Sequence, residues 1–302
     1  MDVKKRPKIV VILGPTASGK SDLAIKMARH FNGEIISADS RQVYRGMNIG
    51  TGKVTKKEQK LVKHHLIDIA SPKKEFNVSD FQKLSGKTIS EIISRGKLPI
   101  VCGGTGFWID ALAYNTSLPN VPPNKKLRAK LEKQTAEQLF KQLARLDPQR
   151  SKNIDKHNKY RLTRALEIIF ATGKPVPPVK SHGSAYEIIW LGITWPKKIL
   201  TERIKIRLDK RLRQGLVSEI KKLSAAGLSH KRLFSFGLEY RWISEYLQGK
   251  TSRQEMAEGL YRDIIKFSKR QATWFKRNKD IAWINPKKQN QAFGLVKKFL
   301  HS

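Results

Sequence analysis

The sequence predicts an α/β fold: a P-loop NTPase-like parallel sheet flanked by helices, with an all-helical insertion domain. Three observations predict it. A buried-strand run, Ile9, Val10, Val11, Ile12 and Leu13, stops at a glycine loop, and helical periodicity follows through Leu23, Ala24, Met27 and Ala28. Residues 1–115 then alternate strand and helix patterns. Between two proline-dense breaks, 118–123 and 173–178, the chain reads as helix with no strand pattern.

The glycine loop comprises Gly14, Pro15, Thr16, Ala17, Ser18, Gly19, Lys20 and Ser21, and it fits G-x-x-x-x-G-K-[ST]. In a phosphate-binding loop, backbone N–H groups and a helix N-terminus converge on an anion. Lys20 supplies a movable positive charge, and the Ser21 hydroxyl suits Mg²⁺. The plain alternative is a glycine turn before an ordinary helix. By itself the loop suggests nucleotide binding, with ATP as the obvious ligand.

Further along, residues 34–38 form a second strand ending at Asp39, and 65–69 a short third. A helix from Ser79 turns Phe81, Leu84, Ile89, Ile92 and Ile93 inward. A fourth strand, 99–102, runs into Gly103, Gly104, Thr105 and Gly106, and strand character returns at 188–193. Basic helices follow over about 197–225 and 251–278, then a last strand at 281–285 and a short helix. The boundaries place a core domain at 1–117 with 187–302, and the helical insertion at 118–186.

Composition narrows the partners. Lys+Arg 61 against Asp+Glu 25 gives a formal charge of +36 over 302 residues. A small anionic substrate does not need that excess, whereas a nucleic acid explains it, because each neutralised phosphate releases a counterion. A solvated basic surface is the alternative. No apolar run approaches a membrane span, and the basic N-terminus leads straight into the first strand, so no membrane association is expected. The single cysteine, Cys102, excludes an internal disulfide and suits a reducing cytoplasm.

Asp39 at the end of the second strand has two functional readings, a Mg²⁺ ligand or a general base, beside a structural one as the cap of the next turn. Gly46, Gly50 and Gly52 make the following loop mobile and able to lie against a ligand. The glycines around Thr105 let its hydroxyl project into the same crevice. His64 and His65 read as a strand-start pair with structural hydrogen bonds.

Together these stretches resemble the tRNA dimethylallyltransferases, also called isopentenyl-pyrophosphate:tRNA transferases, in their short bacterial form. The resemblance is carried by GPTASGKS at 14–21, ADSRQVYRGMNIGTGK at 38–53, HHLIDI at 64–69, GGTGFWIDAL at 103–112, RLTRALEI at 161–168 and KRQATWF at 269–275. It implies transfer of a dimethylallyl group from dimethylallyl diphosphate to N6 of adenosine 37 in tRNA, with Mg²⁺ and without ATP hydrolysis. The loop 14–21 would hold the donor diphosphate together with Arg207, and Asp39, Thr105 and Lys20 would be catalytic. The tRNA-contacting residues would be Asp39, Ser40, Arg41, Gln42, Thr105, Arg128, Tyr160, Arg161, Leu162, Thr163 and Arg164. The target adenine must leave its stack to react. The chain departs from the family's usual pattern at Asn48, 52–54, Trp108, 157–160 and 236–241, which touches the finer tRNA contacts and leaves the donor site intact. A monomer is expected. The rival readings are a P-loop kinase or ATPase acting on nucleic acid, and a non-catalytic tRNA-binding protein.

Overall fold

The computed structural model describes residues 6–178 and 180–302. They fall into two compact units, one from 6–115 with 183–302 and the other within 116–182. The first unit opens with β1 (Lys8–Leu13), α1 (Lys20–His30), β2 (Gly33–Ser37), α2 (Lys56–Leu61), β3 (His64–His65), α3 (Val78–Ser94), β4 (Leu98–Gly103) and α4 (Gly106–Ala113). The second unit holds α5 (Lys125–Glu132), α6 (Ala136–Leu146), α7 (Pro148–Ser151) and α8 (Lys159–Thr172). The chain returns to the first unit with β5 (Glu187–Ile193), α9 (Lys197–Arg213), α10 (Leu216–Ala225), α11 (His230–Phe236), α12 (Leu238–Leu247), α13 (Arg253–Phe275), β6 (Ala282–Ile284) and α14 (Asn290–His301).

The strands form one sheet in the order β3-β2-β4-β1-β5-β6, with every described pairing parallel. β1 lies inside it, pairing Val11 with Val101 of β4 and with Trp190 of β5. Its two faces are both dry. Ile9, Val11 and Leu13 join one hydrophobic cluster, and Val10 and Ile12 join the other. That is the period-2 alternation of a strand, and burial on both sides explains why β1 reads as a continuous apolar run. The P-loop-like α/β fold expected from the sequence is the one observed. Its functional loops leave the carboxyl ends of β1, β2 and β4, where parallel sheets place their ligand crevices.

Local differences from expectation have local causes. The third strand covers only His64 and His65, because Leu66 (φ 58°) and Asp68 (φ 56°) are left-handed and stop the extended run. His65 Nε2 lies 2.6 Å from Glu34, and Arg95 and Lys97 also reach that carboxylate at 2.7 and 3.0 Å. His64 Nδ1 sits 2.8 Å from the Val62 carbonyl. α3 buries Phe81, Ile89 and Ile92, but Leu84 and Ile93 lie at its exposed edge at 37% and 36%. The basic stretch expected as one helix over 197–225 breaks into α9 and α10 at Gly215, whose φ of 94° caps the second helix. The segment from Gly46 to Gly52, expected to be mobile, is pinned. The Glu219 carboxylate on α10 accepts the N–H groups of Asn48, Ile49 and Gly50 at 2.7–3.1 Å.

The helical unit has its own core of Leu131, Leu139, Leu143, Leu162, Leu166 and Ile169. Asn124, Thr135 and Asn158 cap its helices with side-chain oxygens. An isolated antiparallel bridge between Thr116 and Ser181 closes its ends.

Candidate active site

The loop after β1 turns tightly around its own backbone. Gly19 (φ 100°) caps α1, and Ala17 takes the left-handed conformation at φ 61° despite its side chain. That strain costs on the order of 1 kcal/mol and persists only because the surroundings hold it. Arg203 does part of the holding, donating Nε to the Ala17 carbonyl at 2.8 Å. Gly14 is needed for space. A Cβ there would lie 2.2 Å from the Ile193 carbonyl and 2.9 Å from Ser18 Oγ. Ser18 is 1% exposed, and its hydroxyl has no hydrogen-bond partner among the described residues. Lys20 reaches back to the Pro15 carbonyl at 3.4 Å. Burial pushes its ammonium below the ordinary lysine value, and Arg207 and Arg211 add to the depression against Cys102 and Asp39. Ser21 is half-buried in the first turn of α1.

Asp39 and Thr105 face the same crevice from β2 and β4. Asp39 Oδ1 accepts the N–H groups of Arg41 and Gln42 at 2.9 and 3.3 Å, so the carboxylate does cap the next turn. Oδ2 has no such bond among the described residues, and Asp39 lines the crevice, so the cap leaves one oxygen for chemistry. Thr105 Oγ1 accepts the Ser40 N–H at 3.0 Å and locks the two loops together. Arg41 donates Nε to the Phe236 carbonyl at 2.9 Å, and Gln42 donates Nε2 to the Gly52 carbonyl at 3.4 Å.

The opposite wall is basic. Arg203, Arg207 and Arg211 recur every four residues on α9, so they share one face. Arg207 donates to Thr16 Oγ1 at 3.2 Å, and burial plus the neighbouring Arg211 draws its pKa down to about 10. Arg211 pairs with the buried Glu239 at 3.0 Å. Gly52 makes room for both guanidiniums, since a Cβ there would lie 2.1 Å from Arg207 and 1.8 Å from Arg211. Together these groups line a crevice of about 940 Å³. Lysines and arginines on its wall outnumber aspartates and glutamates, nine to five. Its shape and sign suit a bulky polyphosphate-bearing ligand.

The structure therefore brings Thr16, Lys20, Ser21, Asp39, Ser40, Arg41, Gln42, Thr105 and Arg207 to one crevice. Sequence reasoning gave no role to Arg203, Arg211, Glu219 or Gln271. The four-residue spacing of the arginines was a legible signal. Glu219 and Gln271 were not assigned, because the backbone each one holds lies more than a hundred residues away in the chain, and the motif at 269–275 that contains Gln271 does not show what its side chain reaches.

The expected tRNA-facing residues of the helical unit divide into two groups. Tyr160 is 73% exposed and Arg161 is exposed beside it. Arg128 and Arg164 are turned onto the fully buried Glu167. Arg128 grips it with two bonds of 2.9 and 3.0 Å, and Arg164 reaches it at 2.5 Å and the Val121 carbonyl at 2.8 Å. Both remain partly open to solvent. Thr163 is half-buried. Leu162 departs from the expectation. It is 0% exposed within the helical core, so its side chain packs and does not face a ligand.

Comparisons with known proteins agree with this geometry. The family model described as IPP transferase matches residues 42–278. A tRNA dimethylallyltransferase of Acetivibrio thermocellus is 41% identical over 285 residues, covering 92% of this chain and 91% of its own. The crystal structure of the full-length tRNA isopentenylpyrophosphate transferase of Bacillus halodurans superposes with a TM-score of 0.74 at 35% identity, over 98% of this chain and 97% of that one. A eukaryotic dimethylallyltransferase acting on tRNA, 24% identical, shares the fold at a TM-score of 0.82 over 98% of this chain and 80% of its own.

Proposed function

The chain belongs to the IPP transferase family, and from that premise we propose that it transfers the dimethylallyl group of dimethylallyl diphosphate to N6 of adenosine 37 in tRNA, acting as a monomer in the cytoplasm. The observation that carries the reading is the juxtaposition of a cationic phosphate loop with a strand-end carboxylate and Thr105 in one crevice.

The chemistry follows from those groups. The C1–O bond of the donor breaks as the N6–C1 bond forms, and diphosphate leaves. Negative charge grows on the bridging oxygen, so donors aimed there lower the barrier. Lys20, Arg207 and the N–H groups at the start of α1 supply them, while the Thr16 and Ser18 N–H groups are already engaged within the protein. The depressed pKa values of Lys20 and Arg207 mean that burial works against both charges. The opposite charge of a diphosphate offsets that cost. The adenine amine is a weak nucleophile and loses a proton as it attacks. Asp39 takes that proton on Oδ2 while Oδ1 stays fixed by the turn it caps. Thr105, seated by Ser40, holds the donor and target base in register.

Magnesium fits the donor set in a limited way. Among the described residues no cluster of three or more His, Cys, Asp or Glu could hold a metal. The Ser21 hydroxyl and the Asp39 carboxylate both line the crevice as hard oxygen donors, and phosphate oxygens would complete the shell. A magnesium ion held mainly by Ser21 and the donor would neutralise the leaving diphosphate.

On the tRNA side, Ser40, Arg41 and Gln42 line the crevice that the flipped adenine would enter, while Tyr160 and Arg161 offer an exposed aromatic ring and a cation on the helical unit. Arg128 and Arg164 support that surface through Glu167. No helix among the described residues is long and apolar enough to cross a membrane.

The test is direct. The protein is incubated with unmodified tRNA, Mg²⁺ and dimethylallyl diphosphate, and the nucleosides are analysed by mass. Gain of one five-carbon unit on the adenosine beside the anticodon supports the reading. Phosphoryl transfer from ATP, or tight tRNA binding with no product, contradicts it.

A further inference from the structure

We propose that Gln271 on α13 is a positioning residue that sets the register between the phosphate loop and the β4 loop. It accordingly sets the register between the leaving group and the carboxylate that deprotonates the acceptor. This rests on the prenyl-transfer reading above for its kinetic consequence, but not for its structural one. Gln271 is 7% exposed. Its Oε1 accepts the Thr16 N–H at 2.8 Å, and its Nε2 donates to the Gly104 carbonyl at 2.8 Å. The two partners fix which way the amide points, because one must receive a proton and the other must offer one. A carboxylate cannot donate and an ammonium cannot accept, so only an amide of this length satisfies both loops.

Thr16 N–H is a member of a loop whose amides converge on an anion, yet it points at a side chain. The remaining contacts explain what that achieves. Thr16 also receives Arg207 through its hydroxyl at 3.2 Å. Gly104 directly precedes Thr105, whose hydroxyl seats Ser40 at 3.0 Å next to Asp39. A continuous chain of contacts thus runs from Arg207 through Thr16, Gln271 and Gly104 to Thr105 and Ser40. Gly104 is shaped for it, since a Cβ there would lie 2.4 Å from Gln271 Nε2. One helical turn on, Trp274 presses on Gly106, where a Cβ would lie 2.2 Å from its ring. Its Nε1 donates to Asp110 at 2.9 Å, so α13 grips the β4 loop at two points.

Misplacing reacting groups by about 1 Å costs on the order of 100-fold in rate. Gln271→Met keeps the shape and removes both bonds. Gln271→Glu keeps the bond to Thr16 N–H and sets an oxygen against the Gly104 carbonyl, so it tests the register if the methionine variant folds poorly. Two measurements are made on each full-length variant whose thermal transition matches the parent's. Backbone amide exchange at Thr16 should accelerate about tenfold or more in Gln271→Met and stay slow in Gln271→Glu. In both, kcat for prenyl transfer should fall about 10- to 100-fold, with KM for dimethylallyl diphosphate and for tRNA changed less than about threefold. Unchanged Thr16 exchange in Gln271→Met overturns the proposal. So does a rise in donor KM with kcat intact, which would make Gln271 a donor contact. If the parent protein makes no prenylated adenosine, the functional reading fails. The exchange result then still decides whether Gln271 ties the two loops.

Discussion

At the scale of residues, the site depends on charges held where charge will change. Asp39 uses one carboxylate oxygen to cap a turn and presents the other to the crevice. Replacing it with Asn keeps the cap and removes the base. Asp39→Asn should lower single-turnover prenyl transfer about 10²- to 10⁴-fold, with tRNA affinity within a few-fold of the parent. Rapid-quench product analysis beside a filter-binding titration separates the two effects. Lys20 makes a complementary case. Inorganic diphosphate at a hundredfold excess over its dissociation constant should stabilise the parent by about 2.7 kcal/mol in thermal unfolding. Lys20→Ala should weaken diphosphate binding about 10- to 100-fold, because a hydrogen bond to a charged group contributes about 1.5–3 kcal/mol. The stabilisation at the same concentration then shrinks accordingly. A full-sized shift in the variant would contradict the role given to Lys20. The motif residues were legible because their chemistry is local: Gly14, Gly19 and Lys20 lie within one turn of chain. Gln271 and Glu219 were not, because each acts on backbone that only the folded sheet brings near.

At the scale of elements, boundaries were less legible than identities. β1 and β4 stand out because both faces are buried and the apolar run is continuous. β3 does not, because two left-handed residues end it after a single pair of histidines. Beside its parallel pairing with β2, β3 is tied to the sheet edge by a charge cluster on Glu34. Burial alone would raise the Glu34 carboxyl. Hydrogen bonds from His65, Lys97 and Arg95 outweigh that and hold its pKa at about 2, against an ordinary 4.5. A depressed folded pKa stabilises the fold fully above the unfolded value and loses that stabilisation as pH falls toward the folded one. Glu34, with its side chain 2% exposed, should therefore contribute on the order of 3 kcal/mol above about pH 5, falling away between about pH 4.5 and 2. Denaturant unfolding of Glu34→Gln across that range should show a flatter acid limb than the parent. Parallel limbs would show that the cluster adds no acid-sensitive stability.

At the scale of the whole molecule, the +36 charge is a statement about a polyanion. If several Lys and Arg contact tRNA phosphates, log K should fall linearly with log salt, by about 0.9 for each contact on a duplex stem. Six or more contacts would lower affinity about a thousandfold between 50 and 200 mM salt. Fluorescence anisotropy with an anticodon stem-loop checks this, and a nearly flat salt dependence would assign the charge to solubility alone. The α/β class and the helical stretch between the proline breaks were both readable from periodicity and proline placement. The surface of the helical unit was read less well, because helix periodicity does not show which arginines are drawn onto a buried carboxylate. Arg128 and Arg164 look free in sequence and are turned onto Glu167 in the fold, and Leu162 among them is core.

In the proposed reaction the phosphate loop holds a diphosphate that leaves a carbon atom. The most direct measurement follows phosphorus by NMR while the protein turns over tRNA, dimethylallyl diphosphate and Mg²⁺ with ATP also present. Inorganic diphosphate should appear one-for-one with prenylated adenosine, with ATP unconsumed and neither product formed by Lys20→Ala on the same timescale. Orthophosphate or ADP formed from ATP, or adenosine left unmodified while tRNA is bound, would contradict it.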